Sequence, residues 1–215
     1  MKYPKIQSLW KRDANEKYII MEGDYSKEEF RSIRFWSITE KIDGTNIRVL
    51  FNGESVEFRG RTDNAQIPAT LVANLIDTFL VENLKKQFPD STDVILYGEG
   101  YGPKIQKGGG LYREDTGFIL FDVVVHGIWL TRDSVTDIAN KLCIDLVPLL
   151  PLSTVTQAID YVKSFPKSVV AKQEKEIEGV VARAEPLVLY RDGTPVMWKL
   201  KCNDYHKLES IKENG

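Results

Sequence analysis

Asn52-Gly53 stands between two apolar, alternating runs, and an Asn-Gly pair in that setting is the strongest short-range signal for a β-hairpin. Around it, the segment from Ser37 to Phe58 reads as a strand, a tight element at Asp43-Gly44, a strand over Asn46 to Phe51, the Asn-Gly turn and a return strand. Val94 to Tyr97 and Phe118 to Val125 are short runs of branched and aromatic residues, which predict buried strands. Further strands are expected near Leu146 and over Gly179 to Arg183, Leu187 to Tyr190 and Val196 to Cys202. Helices are fewer. Leu71, Val72, Leu75, Ile76, Phe79 and Leu80 recur at helical spacing after Pro68. Ser134 to Leu142 and Val155 to Phe165 predict two more helices. Hairpins dominate, so the expected class is α+β with antiparallel sheets flanked by helices, in a single domain over residues 1–215.

The remaining composition excludes more than it selects. A chain of 215 residues with 42% hydrophobic content can bury one substantial core, and a net charge of −2 supplies no global field for a polynucleotide. A nucleic-acid partner would need a local basic patch. Cys143 and Cys202 form no disulfide framework, and His126 and His206 lie at no zinc spacing. No run approaches a membrane span, and no signal peptide is expected from Met1-Lys2-Tyr3-Pro4-Lys5. The expected setting is therefore cytoplasmic, with reduced thiols. Neither GxGxxG nor GxxxxGK[ST] occurs, so the Rossmann and P-loop phosphate cradles are both missing.

Five strings carry candidate chemistry. The first is Glu40-Lys41-Ile42-Asp43-Gly44-Thr45-Asn46, weak alone because a Lys-x-Asp-Gly string also describes a surface lysine beside a turn. In Met197-Trp198-Lys199-Leu200-Lys201, strand alternation puts Lys199 and Lys201 on one face. Such a pair is either a solvated edge or a clamp for an anion. Glu178-Gly179 opens an apolar strand, placing a carboxylate suited to Mg²⁺ beside a glycine that admits close approach. Tyr97-Gly98-Glu99-Gly100 places another carboxylate among glycines, and Arg59-Gly60-Arg61 puts two guanidinium groups on one strand face.

In order and spacing these strings resemble the covalent nucleotidyltransferases, that is, ATP-dependent ligases and messenger-RNA capping enzymes. The likeness is greatest to RNA ligases of the RNA ligase 2 group. Lys41 to Asn46 looks like motif I, Glu99 motif III, Phe121 motif IIIa, Glu178 motif IV, and Lys199 with Lys201 motif V. Arg61 follows Lys41 by twenty residues and Lys199 follows Glu178 by twenty-one, as in that family. Asp43 departs from the RNA ligase 2 pattern, where histidine is frequent, and agrees with DNA ligases and capping enzymes.

The resemblance implies an adenylation-domain fold and an ATP-dependent RNA ligase using Mg²⁺ or Mn²⁺. Lys41 would attack the α-phosphate of ATP and carry AMP. The AMP would pass to the 5′-phosphate of an RNA end, and a 3′-hydroxyl would displace it. A lysine amine attacks only when uncharged, so Lys199, Lys201, Arg61 and the metal would serve as cations that disfavour another positive charge. The family places Lys199 and Lys201 on the α-phosphate, with Glu178, and beside it Asp43 and Glu99, near the metal. Glu99 and Arg61 fall on the ribose, Phe121 on the adenine face and Glu40 on the adenine edge. Asn46 would face the metal or the incoming end, with Ile42 and Val180 lining the nucleotide. Lys104, Lys107 and Arg113, in a glycine-rich loop expected to be flexible, are candidates for a phosphate backbone. Only fourteen residues follow Lys201, too few for the oligonucleotide-binding barrel or helical domain that such enzymes append. A minimal DNA ligase would share every motif, a capping guanylyltransferase would use GTP, and a non-catalytic RNA-binding module that kept the fold would have no need of the intact charged set around Lys41; DNA remains an alternative substrate.

Overall fold

The computed structural model describes residues 1–16 and 19–214. The chain opens with short strands β1 (Gln7–Ser8), β2 (Trp10–Arg12) and β3 (Ile20–Tyr25), then helix α1 (Glu28–Ser32) and β4 (Trp36–Glu40). The hairpin β5 (Thr45–Phe51) and β6 (Val56–Gly60) follows, then α2 (Ala69–Thr78), α3 (Val81–Gln87), β7 (Val94–Tyr101), β8 (Gly117–Val125) and β9 (Ile128–Trp129). Helix α4 (Arg132–Leu142), β10 (Asp145–Leu146), α5 (Val155–Lys163), β11 (Gly179–Ala184), β12 (Met197–Lys201) and α6 (Cys202–Asn214) complete it. The class is α+β, as the sequence predicts.

The chain forms two compact units interleaved in sequence. One comprises Met1–Tyr3, Asp43–Val147 and Val170–Glu174, and the other comprises Pro4–Ile42, Pro148–Val169 and Lys175–Gly215. The chain thus passes from the second unit to the first between Ile42 and Asp43, inside the first motif.

The first unit is built on a sheet in the order β10-β8-β7-β5-β6, with β9 beside β8. One face is apolar. Ile47, Val49, Phe51, Leu96, Phe118 and Leu120 point there and cluster with Leu71 and Leu75 of α2, Leu84 of α3, and Val135 and Ile138 of α4. Strand alternation sends Asn46, Arg48, Tyr97 and Glu99 to the opposite face. The Asn52-Gly53 turn forms as expected in place but with four residues, since Phe51 pairs with Val56 and the Asn52 carboxamide accepts from the Glu54 and Ser55 amides. The expected single helix after Pro68 breaks at Phe79, which leaves the helix to bury its ring edge-on against Phe118 at 5.1 Å.

The second unit holds the sheet β1-β12-β11-β4. Its core joins Trp36, Ile38, Val180, Ala182, Trp198 and Leu200 to Ala158 and Val162 of α5 and Tyr205 of α6. Trp36 and Trp198 meet edge-on at 5.5 Å. Helix α5 starts at a reciprocal cap: Thr154 Oγ1 accepts from the Gln157 amide, and Gln157 Oε1 accepts from the Thr154 amide.

The sheets are antiparallel as expected, apart from parallel pairings at two edges, β1 with β12 and β10 with β8. One expectation is corrected. Leu187 to Tyr190 makes no strand: it meets the next segment in a single bridge, Leu189 to Pro195, and prolines on both sides remove ladder donors. The polar tail after Lys201 is helical, because Tyr205 is buried and accepts from Trp10 Nε1 at 3.1 Å while Asp204 pairs with Arg12 at 3.0 Å.

Candidate active site

In the second unit three neighbouring strands bring the predicted charges to one end. Gly179 of β11 stands opposite Lys201 of β12, and the Lys41 amide, just past β4, donates to the Gly179 carbonyl at 2.9 Å. Glu178 therefore emerges between the strand carrying Lys201 and the segment carrying Lys41. Its Oε2 lies 2.5 Å from Lys41 Nζ and its Oε1 2.5 Å from Lys201 Nζ. Gly179 has φ +150°, and a Cβ there would stand 2.0 Å from the Leu200 carbonyl oxygen, so this position next to the carboxylate requires glycine.

Burial pushes the Glu178 carboxyl up, but the Lys41 charge and the hydrogen bonds from Lys201 and Lys41 outweigh it, leaving the pKa below its ordinary value. Lys199 lies two residues along β12 on the side of Lys201, opposite Val181, while Trp198 and Leu200 are fully buried on the other side. The alternation expected from the sequence is present.

Three other expected residues of this unit face inward. Glu40 is buried, and its carboxylate accepts from Ser168 Oγ and, at 3.0 Å, from the Val169 amide. It thus fixes a loop, a task with no sequence signal. Ile42 is buried, and Val180 belongs to the core, so the side chain of Val180 is directed away from solvent.

The first unit carries the rest. The Asp43 amide donates to the Tyr112 hydroxyl at 3.2 Å, and Gln106 Nε2 donates to the Gly44 carbonyl at 3.2 Å. A Cβ on Gly44 would lie 2.3 Å from the Gly100 carbonyl oxygen, which accounts for the glycine of the first motif. Asn46 and Glu99 are cross-strand partners on β5 and β7, with Ile119 of β8 next in the row. Asn46 Oδ1 is buried and has no hydrogen-bond partner among the described residues. Phe121 is half-buried and has no cross-strand partner, because Tyr97 pairs with Asp122 and Gly98 with Leu120. It is the extra residue of a β-bulge.

Arg61 is corrected: β6 ends at Gly60, so Arg61 lies in the following loop, exposed, and does not share a strand face with Arg59. Arg59 instead pairs with Glu57 at 2.7 Å. The loop is held by Arg48, whose Nε donates to the Gly60 carbonyl at 2.9 Å and whose second guanidinium nitrogen meets Asp63 at 2.7 Å. The Arg48 hydrogen bond, followed by that of Lys2, brings the exposed Asp63 carboxyl down to about 2. Arg48 was detectable as a lone cation between Ile47 and Val49 in an apolar strand. Tyr112 and Gln106 carry no such signal.

The loop after β7, expected to be flexible, is tied down by backbone bonds from Gly109 to Gln106 and from Lys172 to Tyr112, as well as by Gln106. Arg113 pairs with Asp115 at 2.8 Å, donates to Tyr101 and sits over its ring, so it is already engaged, whereas Lys104 and Lys107 are exposed.

The residues expected near a metal are divided: Glu178 belongs to the second unit, Asp43 and Glu99 to the first. Among the described residues no three His, Cys, Asp or Glu side chains gather as a metal cage. Mg²⁺ ordinarily takes one or two carboxylates plus phosphate oxygens and water, so Glu178 as a single hard donor fits an ion that arrives with a nucleotide. Both cysteines are free thiols, and among the described residues no helix is long and apolar enough to cross a membrane.

Comparison with solved structures supplies the fold's relatives. The chain is similar to Naegleria gruberi RNA ligase with PPi, at TM-score 0.68 and 19% identity over 98% of this chain and 58% of that one. It is similar to a mutant of that ligase with ATP and Mn, at TM-score 0.64 and 19% identity over 97% and 58%. An apo mutant gives TM-score 0.60 and 21% identity over 86% and 53%. The chain thus spans somewhat more than half the length of these enzymes. No curated protein sequence matches. The family model for RNA ligase matches residues 34–201, from the strand that leads into Lys41 to the second lysine of β12. The chain belongs to the RNA ligase family.

Proposed function

We propose that this chain is the adenylylating part of an ATP-dependent RNA ligase, with Lys41 as the nucleophile. The observation that carries the reading is the Glu178 carboxylate held 2.5 Å from both Lys41 and Lys201 at one end of three adjacent strand segments.

An ammonium held in an ion pair is no nucleophile, so Lys41 must lose a proton before it attacks. Glu178 is a weak base, because its pKa is lowered, so its task in the free protein is to hold the amine in place rather than to remove the proton. ATP phosphates compete for Lys201 and Lys199, and the Lys41 proton is released to water. The amine then attacks the α-phosphorus, the P–N bond forms, the bond to the bridging oxygen breaks, and pyrophosphate leaves with that electron pair. A divalent cation held by Glu178 would neutralise charge on the phosphates. Lys199 and Lys201 stabilise the negative charge spreading over the phosphoryl oxygens.

By the family's motif roles, Phe121 would stack on the adenine, and Glu99 and Arg61 would take the ribose hydroxyls. The AMP on Lys41 then passes to a 5′-phosphate RNA end, and a 3′-hydroxyl displaces it. The RNA preference rests on the family match, and the free thiols suit an intracellular setting. The test supplies ATP, Mg²⁺ and 5′-phosphorylated RNA or DNA strands. Adenylylated 5′ ends on RNA, with sealing to a 3′-hydroxyl, are expected. Label taken from GTP and not ATP, or transfer to DNA ends alone, contradicts the reading.

A further inference from the structure

Tyr3 belongs to none of the motifs, yet it is packed against the residue assigned to the adenine. Its ring lies edge-on to Phe121, with centroids 4.9 Å apart and planes at 67°. Its hydroxyl donates to Asp122 Oδ2 at 2.6 Å, and Asp122 is a buried carboxylate on the strand residue next to Phe121. Tyr97 at 5.0 Å and Trp129 at 5.8 Å enclose the same ring. The backbone on either side is anchored too: the Tyr97 hydroxyl donates to the Met1 carbonyl at 3.0 Å, and Lys2 reaches Asp63 at 3.2 Å. All these residues lie in the first unit.

Phe121 is the residue in this group that needs an external support. A bulge residue has no cross-strand neighbour to fix its direction, and an aromatic ring on a half-buried surface has more than one rotamer available. An edge-on ring at 4.9 Å removes one side of that freedom and leaves a face for stacking. The hydroxyl bond to Asp122 fixes Tyr3 in turn, because burying that carboxylate without donors is costly.

We propose that Tyr3 is a positioning residue for nucleobase recognition: it holds the Phe121 ring in the orientation that stacks on adenine. The inference rests on the assignment of Phe121 to the adenine. The effect is confined to ligands that carry a base, and it requires Phe121 to be present.

The test is equilibrium binding of ATP and of inorganic triphosphate to the Lys41→Ala chain, which cannot react. Adding Tyr3→Ala is expected to weaken ATP about three- to tenfold, the scale of one aromatic contact, and to leave triphosphate unchanged. Tyr3→Phe, which keeps the ring and drops the hydroxyl, falls between, and it carries the comparison if Tyr3→Ala does not fold. With Phe121→Ala already present, Tyr3→Ala should have no further effect on ATP. Equal weakening of ATP and triphosphate, or an undiminished Tyr3 effect without Phe121, overturns the inference. If Phe121→Ala leaves ATP binding unchanged, the adenine assignment falls and the role of Tyr3 with it, while covalent labelling of Lys41 stands or falls separately.

Discussion

Lys41 Nζ and Glu178 Oε2 lie 2.5 Å apart, and the other oxygen of that carboxylate is equally close to Lys201. One carboxylate thus holds both the proposed nucleophile, Lys41, and Lys201, a lysine proposed to bind phosphate. Neutral Glu178→Gln keeps the shape and removes the charge. It is expected to lower the rate of lysyl-AMP formation about 10²- to 10³-fold, in line with the loss of one preorganised electrostatic group. Single-turnover kinetics with saturating ATP measures this.

The same carboxylate makes stability depend on acid. Its folded pKa lies below the ordinary 4.5, so its contribution is complete above that value and is lost as pH falls through the lowered folded value. Urea midpoints measured from pH 6 down to pH 3 should fall more steeply for the native chain than for Glu178→Gln. Parallel slopes would contradict the pairing.

Arg48 is a buried guanidinium that holds the loop bearing Arg61. Arg48→Met should destabilise the fold by about 1–3 kcal/mol through the orphaned Gly60 carbonyl and should raise the KM for ATP more than it lowers kcat. Denaturant titration and initial rates separate the two effects.

The Tyr112 hydroxyl accepts from the Asp43 amide, two residues from Lys41. Tyr112→Phe should cost about 1 kcal/mol of stability and slow lysyl-AMP formation without changing ATP affinity. Unaltered single-turnover rates would show that this hydrogen bond does not help set the first motif.

Much of this arrangement was legible in the sequence because strand alternation has period two. Trp198 and Leu200 had to be buried, which put Lys199 and Lys201 together, and Gly179 marked the close approach of Leu200. The hairpin at Asn52 and the helices over Arg132–Leu142 and Val155–Lys163 followed from turn and period signals. What stayed hidden depends on partners distant in sequence. The helix α6 is polar along most of its length and is anchored by Tyr205 against Trp10. The Leu187 to Tyr190 run has the composition of a strand but prolines where donors are needed. Arg61 looked like a strand residue until pairing stopped at Gly60. Glu40 and Tyr3 carry no local pattern that reveals Ser168 or Asp122 as their partners.

The central claim is that the amine of Lys41 becomes covalently joined to AMP. Incubation with α-labelled ATP and Mg²⁺, followed by peptide mapping, tests it most directly. An acid-labile AMP adduct should map to the peptide containing Lys41, be reversed by pyrophosphate and be absent from Lys41→Ala. An adduct that persists in Lys41→Ala, or that maps to another residue, would contradict it.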